Sequence, residues 1–158
     1  MTGSALSALT ESEQAFFRAL GELNVRYLMV GMSAALAQGV RGATEDLDLW
    51  FENLSDPHIG DAARKANGFW VTRAEPPMLG GMSERIDVVT TMSGLPVFAD
   101  EFARAKSLNI DGIAIPVLPL ERILLSKRTA NRPKDRLAVQ AIEIALAVLS
   151  ATDAPEDA

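Results

Sequence analysis

The sequence contains no cysteine and a single histidine, His58, among its 158 residues. A disulfide framework, a thiolate zinc site and a cysteine nucleophile are therefore excluded, and a zinc site built on histidines is not expected. The chain also lacks a run of about 20 apolar residues, the length that spans a bilayer. Residues 1–10 lack the basic start and apolar core of a signal peptide. We therefore expect a cytoplasmic protein that does not contact membranes.

Basic residues are in the minority as well. The chain has 15 Lys and Arg against 21 Asp and Glu, a formal net charge of −6 and an isoelectric point near 4.8. Proteins that coat nucleic acids gain most of their affinity by neutralising phosphates with basic side chains, so this composition excludes that role. Any phosphate chemistry would need metal ions or a local basic patch.

The length predicts one domain, which we place at 1–150, followed by a disordered acidic tail at 151–158. Hydrophobic periodicity predicts the order of the elements. Helices are expected over about 11–22, 33–38, 58–67, 98–106, 120–129 and from 133 onward, and strands over 25–30, 46–52, 69–72, 85–90 and 113–117. This order predicts an α/β or α+β fold, with a mixed β-sheet flanked by helices and a C-terminal helical end.

Two details of that prediction concern proline and glycine. Pro116 lies inside the strand over 113–117, which favours an edge position because proline cannot donate to a neighbouring strand. The segment 75–83 contains two adjacent prolines and two adjacent glycines, a composition typical of a mobile flap.

The triplet from Asp46 to Asp48 is the most informative motif. Side chains two apart on a strand point to the same face, about 7 Å apart, so both carboxylates would face one space. Their repulsion raises the pKa of at least one of them. A bound divalent cation removes that conflict, since Mg²⁺ prefers one or two carboxylates together with substrate phosphates. An isolated Asp-x-Asp is more often a half-exposed strand that shows two acids to water.

Two further features surround this triplet in the sequence. Gly31 and Ser33 follow a buried strand and open a short helix, where backbone N–H groups and a hydroxyl can hold a phosphate. Asp87 lies in a strand whose Ile86 and Val88 should face the core. If that strand pairs beside Asp46, three carboxylates converge, enough for two metal ions. The alternative is that Asp87 forms a surface ion pair with Arg85 or Arg73.

Basic residues concentrate near the C-terminal helices. Five of the 15 bases lie within ten residues: Lys127, Arg128, Arg132, Lys134 and Arg136. Such a cluster is placed to meet a triphosphate, although a charge run is also typical of a solvated face. Lys127 is the strongest candidate, because it follows Ile123 and Leu124 by one helical turn on a face that should pack on the domain.

In this order the motifs resemble the nucleotidyltransferase superfamily of DNA polymerase beta-like fold. The resemblance covers 25–52, which holds Gly31, Ser33 and the Asp46-Leu47-Asp48 triplet, and 118–143, which holds Arg132-Pro133-Lys134-Asp135. Asp87 suits the position of the third carboxylate of the family. The second block is similar to small stand-alone bacterial and archaeal members, among them the abortive-infection and toxin-antitoxin type.

The resemblance implies transfer of a nucleoside monophosphate from a nucleoside triphosphate to an acceptor hydroxyl of an RNA, a protein or a small molecule. It implies two Mg²⁺ ions as cofactors, held by Asp46 and Asp48, with Asp87 completing the acceptor-side ion. Gly31 and Ser33 would hold the triphosphate, and Lys127 would neutralise charge on the leaving pyrophosphate. A cognate toxin or antitoxin is the macromolecular partner that it implies.

The sequence departs from the family signature at Met32, where a second glycine or serine is usual, and Ser33 comes one place late. Methionine offers no hydrogen-bond donor to a phosphate, and its bulk narrows the approach. Two hypotheses therefore stay open at this point. One is an active nucleotidyltransferase; the other is a catalytically inactive binding module of the same fold, such as an antitoxin.

Overall fold

The computed structural model describes residues 6–153, which form six helices and seven strands. The helices are α1 (Glu11–Glu22), α2 (Gly31–Ala37), α3 (Pro57–Lys65), α4 (Phe98–Ala103), α5 (Leu120–Ala130) and α6 (Pro133–Asp153). The strands are β1 (Tyr27–Val30), β2 (Leu47–Phe51), β3 (Phe69–Val71), β4 (Met78–Gly80), β5 (Ile86–Val89), β6 (Lys106–Ile110) and β7 (Ile113–Val117).

α1 begins as the sequence predicts. The Thr10 hydroxyl accepts a hydrogen bond from the Glu13 backbone N–H at 3.1 Å, and the Glu13 carboxylate accepts one from the Thr10 N–H at 2.9 Å. This reciprocal capping box satisfies two N–H groups that have no partner within the helix. The helix buries Phe16, Phe17 and Leu20 in the core. The capping pair thus sets where the helix starts, and the apolar face sets what it packs on.

Five strands form the main sheet in the order β5-β2-β1-β7-β6. β1 and β2 are antiparallel and place Val30 opposite Asp48, whereas β2 and β5 are parallel and place Asp48 opposite Asp87. The mixed sheet, the flanking helices and the C-terminal helix confirm the predicted α/β class. The register brings the end of β1 and the beginnings of β2 and β5 to one edge of the sheet.

β7 is not an edge strand, so the prediction drawn from Pro116 is wrong. β7 lies between β1 and β6, and its pairing with β1 consists of Met29 opposite Val117. The Leu118 N–H donates to the Met29 carbonyl at 3.0 Å. Two residues earlier the corresponding donor would be Pro116, which has no N–H. The proline therefore shortens the β1–β7 ladder instead of excluding β7 from the middle of the sheet.

The segment 75–83 is not a free flap, because it contains β4, which pairs antiparallel with β3. Gly80 and Gly81 face the ring of Phe69: a Cβ at Gly80 would lie 2.5 Å from a ring carbon, and one at Gly81 would lie 3.1 Å from another. The two glycines therefore make room for an aromatic ring. Close packing accounts for these two glycines, and the mobility of the segment stays a prediction.

β6 is absent from the sequence prediction, which extended α4 to 106. β6 and β7 form a hairpin whose two-residue turn is Asp111-Gly112, with φ of 51° and 85°. Asp-Gly is a strong signal for this turn, because both positions need positive φ. The sequence contains this turn signal, but β6 has only exposed and half-buried positions, so its hydrophobic alternation is weak.

α6 runs to Asp153, three residues into the segment expected to form a disordered tail. The rest of that segment, 154–158, lies outside the described residues. Among residues 6–153 the structure has no helix long and apolar enough to cross a membrane.

Candidate functional site

Three carboxylates converge at the sheet edge where β2 and β5 begin. Asp46 directly precedes β2, Asp48 is its second residue, and Asp87 is the second residue of β5. One oxygen of each carboxylate lies within 4.8 Å of the others, and this set is called the carboxylate triad below. The pairing of β2 with β5 confirms the predicted juxtaposition of the two strands. Three oxygens at this separation can bind a divalent cation together.

The carboxylate triad forms one wall of a cleft of about 670 Å³. The end of α5 and the beginning of α6 build another part of the lining, called the basic wall below. It carries Lys127, Arg132 and Lys134, three members of the basic cluster seen in the sequence. Acidic and basic side chains thus line one open cleft, an arrangement suited to a metal-bound polyphosphate.

Asp48 is the most perturbed member of the triad. Burial raises the pKa of its carboxyl, and the negative charges of Asp87 and Asp46 raise it further, to about 6. Lys127 and Lys134 oppose that shift through their positive charge. A cation bound between the carboxylates would stabilise the ionised form of Asp48 against both its burial and the charges of its neighbours.

The surface ion pair that offered an alternative for Asp87 is not formed. The Arg85 guanidinium instead binds Glu13 in a bidentate pair, with Nε to Oε2 at 2.9 Å and Nη2 to Oε1 at 2.8 Å. Arg73 makes no ion pair with Asp87 either, and among residues 6–153 no basic side chain lies within 4.0 Å of the Asp87 carboxylate. Asp87 is exposed and lines the cleft. Its carboxylate is thus available to a ligand.

Gly31 touches the triad directly. Its φ is +62°, and a Cβ at this position would lie 2.5 Å from Oδ2 of Asp48. Real Cβ atoms do not approach an oxygen so closely, and positive φ is unfavourable for most other residue types. The structure therefore requires glycine here so that the Asp48 carboxylate can lie against the start of α2. Gly31 also lines the cleft, where the sequence analysis expected a phosphate.

Ser33 has a different environment from the one predicted. Its side chain is fully buried; the hydroxyl donates to the Val30 carbonyl at 2.9 Å and accepts from the Asp48 N–H at 3.0 Å. Because the hydroxyl is buried and already donates its hydrogen to Val30, it is not available to a ligand in the cleft. The prediction that Ser33 holds the triphosphate is corrected: it is a positioning residue that ties α2 to the backbone of Asp48.

Asp135 is a site residue that the sequence analysis missed. Its buried carboxylate accepts from the Arg132 backbone N–H at 3.0 Å and from Arg132 Nε at 2.7 Å, and it lies 3.5 Å from Nζ of Lys127. Burial alone would raise the pKa of Asp135, but the Arg132 hydrogen bonds and the charge of Lys127 lower it to about 2. Asp135 therefore stays ionised and holds both cations at the cleft wall.

A local signal for Asp135 existed in the sequence. Pro133 occupies the first position of α6 and Asp135 the third, where an acidic side chain reaches back to the N-cap backbone N–H.

The raised pKa of Asp48 predicts how the metal-free protein responds to pH. The folded-state pKa of about 6 exceeds the unfolded value of 3.8, so the folded state binds the proton more tightly. The Asp48 contribution to stability is therefore lost as pH rises from about 4 to about 6. Asp48→Asn should remove this penalty, so that the variant gains on the order of 2 kcal/mol over wild type between pH 4 and pH 8.

Urea unfolding in the presence of a chelator, at both pH values, measures that difference. Glu45→Gln is the matched control, because Glu45 is exposed, adjacent in sequence and outside the triad. A stability difference between Asp48→Asn and wild type that does not change with pH would contradict the assigned environment of Asp48.

The chain was also compared with known proteins. No protein-family model and no curated protein matches the sequence. Among solved structures it is similar to the antibiotic-resistance factor ANT(2'')-Ia in solution, with a TM-score of 0.56 at 15% identity over 89% of this chain and 84% of that one. It is also similar to the crystal structure of ANT(2'')-Ia in complex with adenylyl-2''-tobramycin, with a TM-score of 0.57 at 14% identity over 88% of each chain.

A third solved structure is an antigenic nucleotidyltransferase-like protein from Paracoccidioides brasiliensis. It has a TM-score of 0.47 at 16% identity over 93% of this chain and 91% of that one. The two similarities to ANT(2'')-Ia show a shared fold, in agreement with the mixed α/β fold predicted from the sequence.

Proposed function

We propose that this nucleotidyltransferase-like chain is an active, Mg²⁺-dependent nucleotidyltransferase. It would move a nucleoside monophosphate from a nucleoside triphosphate to the hydroxyl of an acceptor. The observation that carries the proposal is the carboxylate triad, in which one oxygen of each residue lies within 4.8 Å of the others, in a cleft that Lys127 also lines. A charge arrangement of this kind matches a triphosphate with its metal ions better than it matches a neutral ligand.

The residues of the triad fit divalent cations. Carboxylate oxygens are the ligands that Mg²⁺ prefers, and neither Asp46 nor Asp87 is engaged in an ion pair within residues 6–153. Asp46 and Asp48 would hold both ions, and Asp87 would complete the acceptor-side ion. When bound, the ions supply positive charge that favours an ionised acceptor hydroxyl and offsets the charge of the phosphates.

Three contacts within the chain hold the side chains of this site in place. Gly31 admits the Asp48 carboxylate to the start of α2, and the Ser33 hydroxyl holds the Asp48 backbone at 3.0 Å. On the basic wall, the Asp135 carboxylate lies 3.5 Å from Nζ of Lys127 and holds it in place. Because these groups are fixed before any ligand arrives, little reorganisation is needed when charge develops.

Lys127 is proposed to bind the triphosphate and to neutralise the pyrophosphate as it leaves. Its side chain is mostly buried and lines the cleft, so its charge acts in a less aqueous environment than that of a surface lysine. Lys134 contributes charge from the same wall, since it too lowers the pKa of Asp48. Gly31 is proposed to let the phosphates approach the backbone closely.

The acceptor is proposed to be a hydroxyl of an RNA, a protein or a small molecule. The crystal structure of ANT(2'')-Ia, which shares the fold, holds tobramycin that carries an adenylyl group, and this supports nucleotidyl transfer as the activity class. A role in a toxin-antitoxin pair rests on the sequence resemblance alone. Met32 lines the cleft. Because methionine offers no hydrogen-bond donor to a phosphate, the inactive binding module is the competing hypothesis.

Calorimetry with each of the four nucleoside triphosphates, in Mg²⁺ and in chelator, tests the binding step. We expect at least one triphosphate to bind only when Mg²⁺ is present. A second step incubates the protein with Mg²⁺, that triphosphate labelled at its α-phosphate, and the RNA, protein and small-molecule fractions of a cell lysate. The proposal expects label in one fraction.

The outcomes separate the two hypotheses. Metal-dependent binding with label in one fraction supports the enzyme, and metal-dependent binding without any labelled fraction supports an inactive module. Triphosphate binding that is unchanged by chelator, or its complete absence, would contradict both the metal site and the proposed activity.

A further inference from the structure

α6 carries an exposed apolar stripe on the side opposite its buried face. The stripe consists of Leu137, Ile144 and Val148, whose side chains are 74%, 66% and 59% exposed. At 100° per residue these positions fall within about 40° of one another around the helix. Ala138 and Ile142, by contrast, are buried against the domain. Single exposed apolar residues are ordinary, but three on one helix face form a patch that marks an interaction site.

The stripe carries almost no charge. Residues 137–151 contain one charged residue, Glu143, in a chain that is 23% charged overall. The Glu143 carboxylate accepts a hydrogen bond from Nη2 of Arg128 at 2.6 Å, so its charge is compensated within the chain. A charged peptide or a nucleic acid would find nothing complementary on this surface. It suits an equally apolar helix.

The spacing of the stripe makes it complementary to itself. Leu137, Ala141, Ile144 and Val148 follow one another at intervals of four, three and four residues, the spacing of a coiled-coil seam. Read in reverse, the intervals are the same. An antiparallel second helix therefore places Leu137 opposite Val148 of the second copy, and Ile144 opposite Ala141 of the second copy. The small alanine, which lies partly buried at the edge of the stripe, gives the isoleucine room.

We propose that a second copy of this chain docks on the stripe, with the two α6 helices antiparallel about a two-fold axis. Such an interface uses the same patch on both copies, as most homodimers do. The proposal is independent of the enzymatic activity, because no residue of the carboxylate triad or of the basic wall takes part in it.

Light scattering after size exclusion tests the proposal at about 100 µM protein, where an association with a micromolar dissociation constant is nearly complete. The wild-type protein should have twice the mass of the 17.0 kDa chain. Ile144→Glu should be a monomer, because it would bury two carboxylates in the seam. Ser150→Glu is the matched control: it adds the same charge to an exposed position of α6 away from the stripe, and it should remain a dimer.

Circular dichroism and thermal unfolding check that Ile144→Glu is folded, as expected for a change at an exposed position. A second measurement does not depend on that variant. Since the chain has no cysteine, single-cysteine variants Leu137→Cys and Val148→Cys report the arrangement. Antiparallel helices should give a disulfide dimer when the two variants are mixed and oxidised. Neither variant should do so alone, because the two positions lie roughly 16 Å apart along the helix, beyond disulfide reach.

A wild-type monomer at this concentration would overturn the proposal, and so would a dimer that survives Ile144→Glu. Cross-linking of each cysteine variant with itself, in preference to the mixture, would overturn the antiparallel arrangement.

Discussion

Asp48→Asn should lower the rate of nucleotidyl transfer by at least about 10³-fold, because a metal ion supplies several kcal/mol of charge stabilisation and each 1.36 kcal/mol is tenfold in rate. Asp48 is the central carboxylate of the triad, opposite Asp87 in the sheet and two residues from Asp46. An amide of the same shape keeps the packing but loses the charge that holds the cations. Label transfer from the α-phosphate measures the change.

The same variant separates a loss of function from a loss of fold. Asp48→Asn should be at least as stable as wild type without metal at pH 8, since it removes a charge that burial and the neighbouring carboxylates make unfavourable. Mg²⁺ should raise the melting temperature of wild type and not that of the variant. Glu45→Gln should keep both the activity and the metal response. Transfer that persists in Asp48→Asn would show that the triad does not carry the reaction.

Gly31→Ala should also abolish most of the activity, by roughly 10²-fold or more, since a small displacement at the reacting centre can cost that much. The new Cβ would stand 2.5 Å from Oδ2 of Asp48, so the carboxylate must move away from its place in the triad. The positive φ adds strain of about 1–2 kcal/mol. Transfer assays and urea unfolding measure the two effects separately.

Gly112→Ala is the matched control for the backbone strain. Gly112 has a φ of +85° in the β6–β7 turn, and a Cβ there would meet nothing within 4 Å. We expect Gly112→Ala to lose stability to a similar extent and to keep its activity. If both alanine variants lose the same fraction of activity, the contact between Gly31 and Asp48 is not what matters, and backbone strain alone explains the loss.

The parts of the fold that were predictable from the sequence depend on local patterns. The start of α1 follows from Thr10 and Glu13, three residues apart, and the alternation of β2 and β5 predicts the face on which each acid lies. Their convergence also needs the pairing of β2 with β5, which the sequence analysis stated as a condition. Hydrophobic periodicity and the spacing of motifs involve residues that are close in the sequence, so both can be recognised without a structure. The candidate carboxylates could therefore be selected before any coordinates were known.

The remaining features depend on partners that are distant in the sequence or on details of geometry. Ser33 faces the Asp48 backbone across 15 residues, and no local pattern distinguishes that contact from a phosphate contact. The position of β7 inside the sheet depends on its pairing with β1, 80 or more residues earlier, which Pro116 shortens but does not prevent. Gly80 is a packing residue because Phe69 lies over it, which only the pairing of β3 with β4 reveals.

The central claim is that Asp46, Asp48 and Asp87 hold divalent cations together with a nucleoside triphosphate. The most direct test is an anomalous difference map from crystals grown with Mn²⁺ and a non-hydrolysable triphosphate analogue. We predict Mn²⁺ peaks bound by the triad carboxylates, with the analogue's phosphates between them and Lys127, and no such peaks in Asp48→Asn. Mn²⁺ and phosphates found elsewhere on the protein, with the triad free of both, would contradict the account.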